Sequence, residues 1–140
     1  MKWLLFLVIT VCLSGCATVQ QELNTTDLAI LKQRSFEVSK KDAFASVMAV
    51  FQDLGYEIVH TDITTGFIRG KKSWATGDGL WVPIVQHSKS ITAFVSELGE
   101  KRICVRLNIF IDNGNVLSEG AYEEVFDRIS SGINFLKKSF

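Results

Sequence analysis

Beyond the first sixteen residues, the side chains best suited to acid, base or nucleophilic chemistry near neutral pH are His60, His87 and Cys104. A zinc centre needs nitrogen and sulfur ligands at short, paired intervals, and neither histidine has such a spacing with Cys104 or a carboxylate. His60 and Asp62 stand two apart, which puts them on one face of a strand, but no nucleophile motif surrounds either. Asp112-Asn113-Gly114-Asn115 lacks the ligand spacing of a calcium loop and reads as a turn. The stretch from Gly66 to Ser73 has three residues between its glycines where a phosphate loop has four, and Lys72 intrudes before the serine. No Gly-x-Ser-x-Gly elbow occurs. No cofactor or metal is expected, and the chain reads as a protein without catalytic activity.

The residues best suited to contact are tryptophans. Ser73 to His87 holds Trp74, Trp81, Gly77-Asp78-Gly79 and the only proline, Pro83. This composition reads as a long loop between strands, and such loops in compact domains are commonly functional. Tryptophan anchors protein interfaces and also settles at the headgroup layer of membranes. Two readings stand side by side: Trp74 and Trp81 form a contact loop, or they fold back over the sheet or the hairpin.

Chemistry of another kind lies at the N-terminus. Lys2 precedes an apolar run from Trp3 to Leu13 that only Thr10 interrupts, which is the layout of a secretory leader. Such a run is about half of the ~20 residues that a membrane-spanning helix needs. It ends in Leu13-Ser14-Gly15-Cys16, which resembles the lipobox of bacterial lipoproteins. The resemblance implies diacylglyceryl transfer to the Cys16 thiol, cleavage between Gly15 and Cys16, and acylation of the new amino group. It also implies, in a Gram-negative source, the periplasmic face of the outer membrane, because residue 17 is Ala where Asp would retain the protein at the inner membrane. Several acyl chains anchor stably where one is marginal.

The resulting layout is a leader over 1–15, a lipidated cysteine with tether over 16–33, with room for a short helix near the tether's end, and one domain over 34–140. Seventeen flexible tether residues reach ~20 to 25 Å on average and about 60 Å at full extension, which keeps the domain near the membrane. Lys+Arg and Asp+Glu each number 15, and this neutrality argues against a nucleic-acid partner. With Cys12 lost and Cys16 acylated, Cys104 has no intramolecular disulfide partner. It reads as a small apolar strand residue or as a thiol open to another chain.

Elements that must position these residues follow from periodicity. Arg34 to Val38 alternates as a strand. Ser39 and Asp42 open a helix whose apolar stripe runs through Ala43, Phe44, Val47, Met48, Phe51 and Leu54, with Gly55 as its left-handed stop. Strands are expected over 56–62, 67–72, 91–96 and 102–112, the last with Ile103, Val105, Leu107, Ile109 and Ile111 on one face. A second helix carries Tyr122, Val125, Phe126, Ile129, Ile133 and Leu136, with acids at its start and lysines at its end.

The fold class is therefore α+β, two-layered: an antiparallel sheet of about four to five strands with two helices on one face, in the order β-α-β-β-β-β-α. This order loosely resembles small α+β domains of outer-membrane lipoproteins, including helix-grip domains of assembly-machine lipoproteins. The expected function is a non-catalytic interaction module in envelope assembly or maintenance, with an envelope protein as partner. The alternatives are a binder of lipid, peptidoglycan fragment or small apolar ligand, and an envelope hydrolase whose acid-base groups would be His60 and His87.

Overall fold

The computed structural model describes residues 25–116 and 118–138. The leader, the cleavage site, Cys16 and the tether up to residue 24 lie outside the described residues.

The order is α1 (Thr25–Lys32), β1 (Gln33–Phe36), α2 (Lys40–Asp53), β2 (Glu57–Asp62), β3 (Phe67–Thr76), β4 (Val85–Gly99), β5 (Arg102–Ile111), β6 (Gly114–Asn115) and α3 (Glu119–Lys138). All strand pairs are antiparallel, in the spatial order β1-β5-β4-β3-β2, with the two-residue β6 also against β5. The α+β sheet-and-helix architecture is thus as its periodicities indicate. The end of the expected tether is folded: α1 packs on α3 and β5.

One sheet face carries the core. Ile68 of β3, Ile91, Ala93 and Val95 of β4, and Ile103, Val105, Leu107 and Ile109 of β5 are buried beneath α2 and α3. Ala43, Phe44, Val47, Val50 and Phe51 answer from α2, and Tyr122, Val125, Phe126, Ile129 and Ile133 from α3. Ser39 caps α2, its side chain accepting from the Asp42 N–H, and Gly55 at φ +78° turns the chain out of the helix. Tyr122 closes a gap at the outer edge of β5: its hydroxyl accepts the Ile109 N–H at 3.2 Å, where neither β1 nor β6 reaches.

The expected loop over Ser73–His87 is strand at both ends. β3 runs on to Thr76 and β4 begins at Val85, so Trp74 pairs with His87 and Thr76 with Val85, leaving only residues 77–84 as the connection. This ribbon extends past the helices, has no buried face, and so carries no apolar alternation for periodicity to detect. Ile111, the last member of the expected buried row on β5, lies beyond the helices too and is exposed.

Candidate functional site

The projecting β3–β4 hairpin is the feature that stands out. At its tip Leu80 is 80 % and Trp81 87 % exposed, with Val82, Ile84 and Val85 also open to solvent. Isolated apolar residues on a surface need no explanation, whereas five grouped at the end of a ribbon form an apolar patch of the kind that contact sites use.

Its conformation is fixed from within. The Asp78 Oδ1 accepts the backbone N–H groups of Leu80, Trp81 and Val82 at 3.0, 2.9 and 2.8 Å. These three bonds hold the Asp78 carboxyl below the usual carboxylate range. The Gly79 N–H donates to the Val82 carbonyl at 3.0 Å. Gly77 sits at φ +106°, where a Cβ would stand 2.3 Å from the Pro83 carbonyl oxygen, so only glycine allows the two sides of the loop to approach. Residues 79–82 therefore have every backbone N–H satisfied, and Pro83 has none to satisfy.

A second cluster braces the ribbon at its base. His87 Nδ1 lies 2.7 Å from Asp112 Oδ2, and Asp112 Oδ1 accepts the Ser88 N–H at 2.7 Å. The Asp112 N–H returns to the Ser88 carbonyl at 2.8 Å. Asp112 and Asn113 both lie in the left-handed region (φ +47° and +68°), as a two-residue hairpin turn between β5 and β6 requires. The His87 bond, followed by the Ser88 N–H, holds the Asp112 carboxyl below its ordinary range. Trp74 stacks on His87 with ring centres 5.4 Å apart, and Thr76 Oγ1 lies 3.0 Å from His87 Nε2.

Thr76, His87 and Asp112 form a hydroxyl–imidazole–carboxylate series in the order of a hydrolytic triad. They lie on an exposed ribbon, with Trp74 against the imidazole, and an open cleft of about 840 Å³ lies elsewhere, around Val38, Ser39, Leu98 and Arg102. What the geometry supplies is a brace joining β3, β4 and the β5–β6 turn.

The expected site residues are thereby separated. Trp74 belongs to a strand and is 40 % exposed, its ring on His87, whereas Trp81 stands alone at the tip. Trp74 shares the helix-side row with Gly70 and Lys72, so its ring lies on the hairpin itself, against His87, and does not cover the opposite sheet face. His60 packs on Phe67 at 5.6 Å, while Asp62 bonds the Thr64 N–H and the Thr65 hydroxyl of its own turn. Gly70, from the rejected phosphate-loop stretch, is buried where a Cβ would meet Tyr56 at 2.9 Å. Cys104 is half-buried on the face away from the helices. Among the described residues, no three His, Cys, Asp or Glu side chains converge as a metal site.

Sequence reasoning singled out neither Asp78 as a clamp nor Asp112 as the partner of His87. Gly-Asp-Gly was a readable signal for the first, since Asp side chains commonly bond nearby backbone N–H groups in turns. Nothing local signalled the second.

No family model matches the chain, and no curated protein matches it either. Among solved structures it is similar to a DUF4468 family protein from Bacteroides ovatus, at 11 % identity over 71 % of this chain and 72 % of that one, with a TM-score of 0.30.

Proposed function

We propose that this chain is a lipid-anchored, non-catalytic docking module at the periplasmic face of the outer membrane, acting in envelope assembly or maintenance. Cys16 carries the anchor and the hairpin tip over residues 77–85 makes the contact. The observation that carries this reading is the Asp78-clamped tip, which presents Leu80 and Trp81 almost fully to solvent in a fixed shape. A prearranged apolar anchor loses little conformational entropy when it is buried in a target. Hydroxyl-radical footprinting tests it: Trp81 should be oxidised less in isolated outer membranes than in the purified chain, while Leu98, exposed at the opposite end of β4, should react equally in both. Equal oxidation of Trp81 in the two states would contradict the reading.

A second reading, binding of a lipid, peptidoglycan fragment or small apolar molecule, draws on the sheet face away from the helices. There Phe67 and Phe94 pack with centres 5.0 Å apart and the Arg106 guanidinium lies 5.6 Å from the Phe94 centre. Native mass spectrometry that finds the protein consistently empty would count against it.

A further inference from the structure

The target of the tip can be narrowed, on the premise that Cys16 is acylated as proposed above. We infer that the hairpin tip inserts into the lipid bilayer that holds the anchor, giving the domain a second, non-covalent point of attachment that fixes its orientation.

Three observations on different parts of the molecule lead there. The first is direction. β1 runs antiparallel to β5, with Gln33 opposite Arg106 and Phe36 opposite Ile103, so the chain enters the sheet from the Ile111 end of β5. That is the end from which the hairpin projects, since Ile111 pairs with Lys89 and the ribbon continues past it to Thr76 and Val85. Lys32, the last residue of α1, lies there too, with its Nζ 3.2 Å from the Asn115 side chain.

The second is reach. From the Lys72 level to Thr76 the ribbon advances ~13 Å, before the connecting loop adds to it. An eight-residue helix is about 12 Å long, and the nine backbone steps from Cys16 to Thr25 span at most ~30 Å. A bilayer touched by the tip is therefore within range of the anchor, and the anchored segment joins the sheet at the end from which the hairpin leaves it.

The third is the chemistry of the tip. Exposed backbone N–H groups are disfavoured in lipid because no water is there to bond them. Residues 79–83 offer none, so this part of the tip can enter lipid without stripping water from a backbone donor. Between Ser73 and Ser88 the only ionisable side chains are Asp78 and His87, while Lys71 and Lys89 stand where the ribbon leaves the domain; Lys72 at the same level is turned inward, its Nζ donating to the Leu54 carbonyl at 3.1 Å. Aliphatic tip, tryptophan and then lysines is the order in which a bilayer presents acyl chains, interface and anionic headgroups. The Asp78 carboxylate, though bonded on one oxygen, limits the depth to the headgroup–acyl boundary, roughly 5–10 Å.

Cleavage at Cys16 would remove Trp3, leaving Trp74 and Trp81 as the only tryptophans, so fluorescence reports on this hairpin alone. The test uses the full chain purified from membranes after native processing. It is reconstituted in phosphatidylethanolamine–phosphatidylglycerol vesicles with acyl chains brominated near the headgroup, and its intact mass is recorded. Expected are an acylated mass, a blue-shifted emission quenched by bromine, and loss of most of that quenching in Trp81→Phe. An acylated, vesicle-bound protein with unquenched Trp81 would overturn the insertion while leaving the anchor in place. A mass without acyl groups would remove the anchor and this inference with it.

Discussion

His87 Nδ1 and Asp112 Oδ2 lie 2.7 Å apart although 25 residues separate them in the chain. The register that sets Lys89 against Ile111 brings them together, and their bond fastens the projecting ribbon to the β5–β6 turn. The brace determines how firmly the tip is aimed.

Removing the carboxylate should loosen that aim. In Asp112→Ala the Ser88 N–H and His87 lose their acceptor, and nuclear Overhauser contacts between Trp74 and His87 should weaken while the helices remain folded. The folded carboxyl is held below its ordinary value, so this contribution is complete above the unfolded value near ~3.9 and disappears as pH falls through the folded one. The brace is therefore expected to persist at neutral pH and to release only in acid.

Asp78 should govern the tip separately. Asp78→Ala removes the acceptor of three N–H groups, so the amides of Leu80, Trp81 and Val82 should exchange faster with solvent, on the order of tenfold, with little change in domain melting. Its carboxyl is likewise depressed, by the Val82, Trp81 and Leu80 N–H groups, so in the native protein these amides should lose protection only as pH falls below the ordinary carboxylate range.

Gly66 holds the turn before β3 at φ +76°, and a Cβ there would lie 2.0 Å from the Val95 carbonyl oxygen. Gly66→Ala must displace the backbone of β4 in addition to adopting left-handed geometry, which alone costs about 1–2 kcal/mol. Urea unfolding should show a loss of at least that size.

Tyr122→Phe tests the edge of β5 where the hydroxyl meets the Ile109 N–H. Both residues are fully buried, so the variant leaves a donor without a partner and should lose about 1–3 kcal/mol in denaturant unfolding. Burial also raises the Tyr122 pKa, so the phenol keeps its proton across the physiological range.

How much of this was legible in the sequence depends on burial. The helical stripes through Phe44, Val47 and Phe51 and through Tyr122, Phe126 and Ile129 are readable because each faces a core, as is the alternation of Ile103, Val105, Leu107 and Ile109. The Ser39 cap and Gly55 stop are readable because helix ends need local solutions. Trp74 and Thr76 are strand residues without a buried side, so they look like loop. The meeting of His87 with Asp112 depends on pairing between strands that sequence spacing does not encode. Trp81 was singled out from composition, but its exposure follows from the Asp78 clamp and the reach of the ribbon.

The most direct measurement places a photocrosslinking amino acid at position 81 of the full chain in living cells, with position 123 on the exposed face of α3 as control. Phospholipid adducts on the Cys16-anchored protein are expected at 81 and not at 123. Absence of adducts at 81, or equal labelling at both positions, would contradict a tip that docks on the membrane.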